Sequence, residues 1–332
     1  MKSKKEISDI SFTTLKRDEF YSKHPVVQGD YTLRTPMLLA AYAIVRERVA
    51  TRRTGIVFYG PPRIGKTKCA EEIKRLLTEE FRSLIASIIY ARPSLRPSDS
   101  HMFRLILEAR GHVLASRKDP NLLFKNAVTD VELEVKKQSG SQYILIIDEA
   151  HLLDQTDMQR LVVFHNALAS RGVKMTTLSF AQPEIMYRRT ALMAARHLQI
   201  IARFLSEPVR FEGCSCVEYL RALLRSFDQH SDYPEGSGWS YTRFFVPEAF
   251  LAGFRLEEFA QSIWEALQSA SETPVDGGIP VEHVCLTVQY ILFRAKFEDN
   301  PHYQLSTKEI LNAVEESNLE NFCNIMAKGG TT

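Results

Sequence analysis

Gly60-Pro61-Pro62-Arg63-Ile64-Gly65-Lys66-Thr67 fills every position of the phosphate-loop pattern G-x-x-x-x-G-K-[ST]. Both flanks agree with it. Ile56-Val57-Phe58-Tyr59 is a short apolar run that reads as a buried strand. Beyond the loop, Cys69, Ile73, Leu76, Leu77 and Phe81 recur at helical spacing, so a helix is expected to start there. Glycines let the backbone approach a phosphate chain closely, and N–H groups at a helix start point at an anion. The run Gly60, Pro61, Pro62, Arg63, Ile64, Gly65, Lys66, Thr67 and Lys68 is therefore the expected cradle of a nucleoside triphosphate. Lys66 is expected to reach the β- and γ-phosphates, and the Thr67 hydroxyl to hold Mg²⁺.

A second stretch completes the chemistry. Tyr143-Ile144-Leu145-Ile146-Ile147-Asp148-Glu149 is an apolar strand that ends in two acids. A buried parallel strand accounts for the apolar run. It does not account for adjacent carboxylates at the strand's carboxyl end, where α/β sheets bind ligands. Asp148 reads as the acid on the Mg²⁺ side and Glu149 as the base that orients attacking water.

The remaining pattern supplies a framework for these two stretches. Further strands are expected over Leu84–Tyr90, Val173–Phe180 and Val209–Phe211, separated by helical segments, which is the texture of an α/β fold with a parallel sheet. Thr35-Pro36 reads as a helix start, with the helix running towards Arg53. Helical spacing covers Phe103 to Leu114, Leu122 to Lys137 and Asp157 to Arg171, the last closed by Gly172. From Cys214 the texture becomes purely helical. Ser215 to Glu218 reads as a capping box, the polar loop from Ser231 to Tyr241 interrupts, and Ser306 to Glu309 caps the final helix. The organisation expected is an amino-terminal arm over 1–34, an α/β nucleotide-binding domain over 35–213, and a helical lid with carboxy-terminal helices over 214–332. Tyr31 and Pro36 stand where such folds wall a base pocket, with packing as the plainer role.

Composition narrows the class. At 332 residues, with 45% hydrophobic and 25% charged residues, the chain can bury one large core or two ordinary ones. A net charge of +2 does not by itself argue for nucleic acid, so any basic face must be local. No apolar run approaches a bilayer's width, and the basic start Met1 to Lys5 lacks an apolar signal core, so a cytoplasmic protein is expected. Five cysteines without paired metal spacing read as buried free thiols of a reducing compartment.

Phosphate loop, Asp-Glu strand end, polar tip on the following strand and helical lid together resemble an AAA+ ATPase. The resemblance implies further roles by position. Gln182 matches the first sensor, with Ser179 as the alternative. Arg203, in Ala-Arg-Phe before the last strand, matches an arginine finger acting on a neighbour's site, with Arg196 as the alternative. Arg255 matches the lid's second sensor. Asp148-Glu-Ala-His-Leu-Leu153, Phe164-His-Asn-Ala-Leu168 and Leu178-Ser-Phe-Ala-Gln-Pro-Glu-Ile185 resemble the transposition ATPases of the TnsC, TniB and MuB type, most of all TnsC of Tn-seven-like and CRISPR-associated transposons. Ser-Phe-Ala-Gln stands where many of those proteins have a Gly-Thr or Gly-Gln turn.

That resemblance implies ATP and Mg²⁺ as cofactors, and a homo-oligomeric ring or filament on double-stranded DNA in the bacterial nucleoid. It also implies transposase and a TniQ- or TnsD-type target selector as partners, with hydrolysis timing disassembly. Arg92, Arg96, Arg104, Arg117 and Lys118, between the second and third strands, are the expected phosphate contacts. The rival readings are a replication initiator or helicase loader within AAA+, and a nucleotide-gated scaffold that binds no DNA.

Overall fold

The computed structural model describes residues 14–271 and 277–329; the basic start and the rest of the first 13 residues of the expected arm lie outside them. In chain order the elements begin with helices α1 (Thr14–Tyr21), α2 (Pro25–Gln28) and α3 (Pro36–Ala50), strand β1 (Gly55–Tyr59), α4 (Lys66–Glu80) and β2 (Leu84–Tyr90). Next come α5 (His101–Ala109), α6 (Pro120–Lys137), β3 (Gln142–Asp148), α7 (Gln155–Ser170), β4 (Lys174–Ala181), α8 (Glu184–Ala194), α9 (Leu198–Phe204) and β5 (Pro208–Arg210). Seven α-helices follow among the described residues: α10 (Val217–Gln229), α11 (Tyr241–Phe245), α12 (Pro247–Leu251), α13 (Ala260–Ala270), α14 (Val281–Ala295), α15 (Thr307–Glu316) and α16 (Leu319–Gly329). The chain divides into two compact units. One holds Ala40–Pro62 and Lys66–Phe211, the other the residues up to Leu39, Arg63–Gly65 and those from Glu212 onward.

In the α/β unit the five strands form one sheet of order β2-β3-β4-β1-β5, every neighbouring pair parallel. The three central strands β3, β4 and β1 are largely apolar, as expected of parallel strands covered on both faces: Ile56, Phe58, Ile144, Ile146 and Phe180 are all fully buried. Register decides the function of its edge. Tyr59 lies opposite Ala181, Ile147 opposite Ser179 and Tyr90 opposite Asp148, so the chain leaves β1, β3 and β4 along one edge. At the opposite end of β1, Gly55 permits a close approach: a Cβ would stand 2.3 Å from the Arg203 carbonyl oxygen.

The helical unit has its own core, in which Leu220, Leu223, Phe227, Phe244, Ile263 and Leu292 are fully buried. Residues before Thr35 take part in it. Val26 is fully buried, and the buried His24 ring lies within 4.4–5.0 Å of the ring centroids of Tyr233, Tyr241, Phe244 and Phe245. Tyr31 packs edge-on against Phe227 and Tyr241.

Several local expectations need correction. The box read at Ser215 to Glu218 does not form: α10 starts at Val217, its N-cap is Cys216, and that side chain makes no capping bond. The helix expected to reach Leu114 stops at Ala109, because Gly111 turns left-handed at φ 65°. α6 starts two residues early, since the Asp119 carboxylate accepts from the N–H groups of Asn121 and Leu122 ahead of Pro120. The box at Ser306 and Glu309 does form, but it caps a penultimate helix; Asn318 at φ 60° ends the run and α16 follows. Cys69, Cys214 and Cys323 are buried free thiols, whereas Cys216 is exposed. No helix among the described residues is long and apolar enough to cross a membrane.

Candidate active site

Lys66 is the first residue of α4, and its side chain is only 5% exposed. Its ammonium donates to the carbonyl oxygens of Gly60 at 2.8 Å and Pro61 at 2.6 Å, so the loop wraps its own lysine. Burial pulls its pKa down, and the nearby carboxylates of Glu149, Asp148 and Glu184 push the other way. Gly65 at φ 95° and Arg63 at φ 64° make the loop's sharp bends. Arg63–Gly65 count with the helical unit. There the Arg63 guanidinium lies 2.6 Å from the Glu282 carboxylate, and its carbonyl accepts from the Glu282 N–H at 3.2 Å. Lys68 points along the helix surface towards Glu71, 3.5 Å away.

Thr67 follows Lys66 into α4, and its hydroxyl donates to Asp148 Oδ2 at 2.6 Å across 81 residues of sequence. The Asp148 side chain is buried at the end of β3, which raises its pKa; the Thr67 hydrogen bond opposes that rise and the Glu149 charge adds to it. The next residue, Glu149, has left-handed backbone at φ 54° and opens a short 3₁₀ turn, Ala150–Leu152. A non-glycine residue held there is a local strain of the kind that collects at functional sites.

The tip of β4 meets that turn. Gln182 donates through its side-chain amide to Glu149 Oε2 at 3.2 Å, and through its backbone N–H to His151 Nδ1 at 3.2 Å. His151 Nε2 stands 3.4 Å from the same Glu149 oxygen. Ser179, the alternative to Gln182, is buried within β4 opposite Val57 and Ile147. Sequence reasoning singled out Glu149 and Gln182 and passed over His151. The signal available was the Asp-Glu-Ala-His run, in which a 3₁₀ turn brings the fourth residue back towards the second.

The arginines are placed as follows. Arg203 lies at the end of α9, donating at 3.4 Å to the Gln199 carbonyl and at 3.3 Å to Asn166 Oδ1. Arg196 is exposed, at φ 60°, between α8 and α9. Arg255 belongs to the helical unit, where it donates to the carbonyls of Phe250 at 2.8 Å and Phe254 at 2.6 Å and lies over the Phe250 ring. Among the basic residues between β2 and β3, Arg96, Arg117 and Lys118 are exposed, Arg92 pairs with Glu108 at 2.6 Å, and Arg104 reaches the Arg117 carbonyl at 3.5 Å.

The donor set fits a magnesium nucleotide. Thr67 and Asp148 offer two oxygens at hydrogen-bond distance from each other, and no cluster of three or more metal-ligating side chains forms among the described residues. An oxygen pair of this kind suits Mg²⁺, which Thr67 and Asp148 would hold.

Residues 49–187 match the family described as an AAA domain. No curated protein matches the chain by sequence. The fold is similar to that of the ORC2 protein of Aeropyrum pernix in its ADPNP–ADP complexes, with 14% identity, 89% of this chain and 71% of that chain covered, and a TM-score of 0.59. The ADP form of the same protein gives 14% identity, coverage of 95% and 73%, and a TM-score of 0.57. The parallel five-stranded sheet, the phosphate loop between β1 and α4 and the carboxy-terminal helices make this an AAA+ phosphate-loop ATPase fold.

Proposed function

We propose that the protein binds and hydrolyses MgATP and uses the cycle to switch its own assembly on double-stranded DNA. The observation that carries the MgATP part of this reading is the 2.6 Å contact between Thr67 and Asp148, with the Glu149 carboxylate beside it held by Gln182 at 3.2 Å. Thr67 and Asp148 would hold Mg²⁺, whose charge would be available to offset that developing on the transferred phosphoryl group. Lys66 adds a second positive charge, anchored by two loop carbonyls. Glu149 orients the attacking water and takes up its proton. Gln182 (or Ser179) senses the terminal phosphate, and Arg203 (or Arg196) serves a neighbouring subunit's site. Arg255 acts from the helical unit. The cradle from Gly60 to Lys68 holds the phosphates.

Phosphate contact with DNA falls to Arg92, Arg96, Arg104, Arg117 and Lys118, which need only local positive charge. Similarity in fold to ORC2, described with ADPNP and ADP, supports an initiator- or loader-like ATPase. The residues of Asp148–Leu153 and Leu178–Ile185 support a second reading as a TnsC-type transposition regulator with transposase and target-selector partners. Electron microscopy of the protein with duplex DNA, with and without ATP, tests the shared core. Assemblies should require both ligands, and Glu149→Gln should keep them intact while turnover falls by roughly a hundredfold or more. Assemblies indifferent to ATP, or wild-type turnover in the variant, overturn the reading. Offering the ATP-loaded assembly a replicative helicase or a transposase with a TniQ-type protein separates its two forms.

A further inference from the structure

The Glu149 carboxylate has two neighbours on one oxygen and they are not independent. Gln182 supplies both the amide that donates to Oε2 and the backbone N–H that donates to His151 Nδ1. A ring nitrogen that accepts cannot carry the proton, so His151 has its hydrogen on Nε2. That N–H faces Oε2 from 3.4 Å. The side chain is only 11% exposed, and burial lowers its pKa, which favours the neutral ring. The 3₁₀ turn over Ala150–Leu152 holds the imidazole against the tip of β4, and the left-handed backbone of Glu149 aims the carboxylate back at it.

We infer that His151 is a positioning residue for Glu149, relaying the placement of the β4 tip to the base through a tautomer set by the Gln182 backbone N–H. The inference rests on the reading of Glu149 as the base. Oε2 is fixed by the pair of donors, which leaves Oε1 to accept from the water. A shift of the β4 tip then moves both donors together, and the carboxylate with them. His151 touches no reacting atom in this scheme; it restricts the base to one orientation, the kind of restraint whose loss costs one to two orders of magnitude.

Three variants and one spectrum test it. His151→Phe keeps a ring of similar shape without either nitrogen, and should lower kcat by roughly tenfold or more while leaving KM and the affinity for a fluorescent ATP analogue within about twofold. His151→Gln, which restores a donor towards Glu149, should recover part of the loss. In a Glu149→Gln background, His151→Phe should have little further effect, because the two act as a unit. Ring ¹⁵N correlation spectra of the nucleotide-free protein, assigned by loss of the signal in His151→Gln, should show the Nε2–H tautomer. An Nδ1–H tautomer, wild-type kcat in His151→Phe, or a kcat loss matched by an equal loss of nucleotide affinity overturns the inference alone. A wild-type protein without ATP turnover removes the reading of the site, and the inference with it.

Discussion

Asp148 in the α/β unit and Asp228 in the helical unit are both buried, at 1% and 2% exposure, and burial pushes both carboxyl pKa values up. Their surroundings differ in kind. Asp228 accepts from the Thr242 hydroxyl at 2.6 Å and from the N–H groups of Leu256 at 3.2 Å and Glu257 at 3.0 Å, so it staples α10 to α11 and to the short turn that precedes α13. Asp148 accepts from the Thr67 hydroxyl and the Glu149 N–H, with a second acid and the buried Lys66 close enough to shift its titration. One carboxylate is saturated by donors from its own fold. The other faces a hydroxyl that is itself a metal ligand type, beside a second acid. A buried charge satisfied by its own backbone is architecture; one gathered with other charges at a sheet's carboxyl edge is prepared for a ligand.

Asparagine at each position presses hardest on that contrast. Asp148→Asn should reduce MgATP turnover by about a thousandfold, by losing the charge that holds the metal, while the nucleotide-free protein unfolds at the same urea concentration or higher. Asp228→Asn should cost about 2–3 kcal/mol of stability, because its amide must turn a donor towards a backbone N–H or the Thr242 hydroxyl. Its turnover per folded molecule should stay within about twofold. Urea melts and steady-state assays on both variants check this, and equal stability losses would erase the distinction.

His24 extends the comparison to acid. Its Nδ1 accepts from the Val26 N–H, and burial pulls its pKa down from 6.5 to about 3. Because the folded state holds the lower pKa, the unfolded chain binds the extra proton between those values. The stability contribution is therefore complete above about 6.5 and is lost progressively as pH falls towards 3. At pH 5 the protein should be less stable than at pH 7 by about 2 kcal/mol from this group. His24→Phe should remove that share of the acid sensitivity, as read by denaturant titration at the two pH values.

The basic segment between β2 and β3 is a third kind of environment, in which Arg96, Arg117 and Lys118 are exposed and Arg92 pairs with Glu108. Reversing Arg96 and Arg104 to Glu should weaken duplex binding about tenfold on every sequence alike and flatten its salt dependence, with ATP affinity unchanged. Filter binding across a salt series measures it. Sequence-selective losses would mean base readout.

Legibility followed the range of the interactions. The phosphate loop, the Asp148–Glu149 strand end and the sheet strands stood out because each is a local pattern of residue types over fewer than ten positions. Helix starts were less secure. Ser215 to Glu218 has the letters of a capping box, yet the backbone places the cap at Cys216, and the amino-terminal helices show almost no periodicity because their burial is supplied by the rings around His24.

By itself the chain determined a phosphate-loop pattern, two adjacent acids at a strand end and a parallel sheet to carry them, since those follow from spacing along one strand or one turn. Tertiary structure alone decided that Gln182, 33 residues from Glu149 and 31 from His151, meets both of them. It alone decided that Asp228 holds backbone 28 residues away. Hydrogen bonds between distant segments depend on strand register and helix packing, which single residues do not encode; only the assembled core sets which polar groups meet.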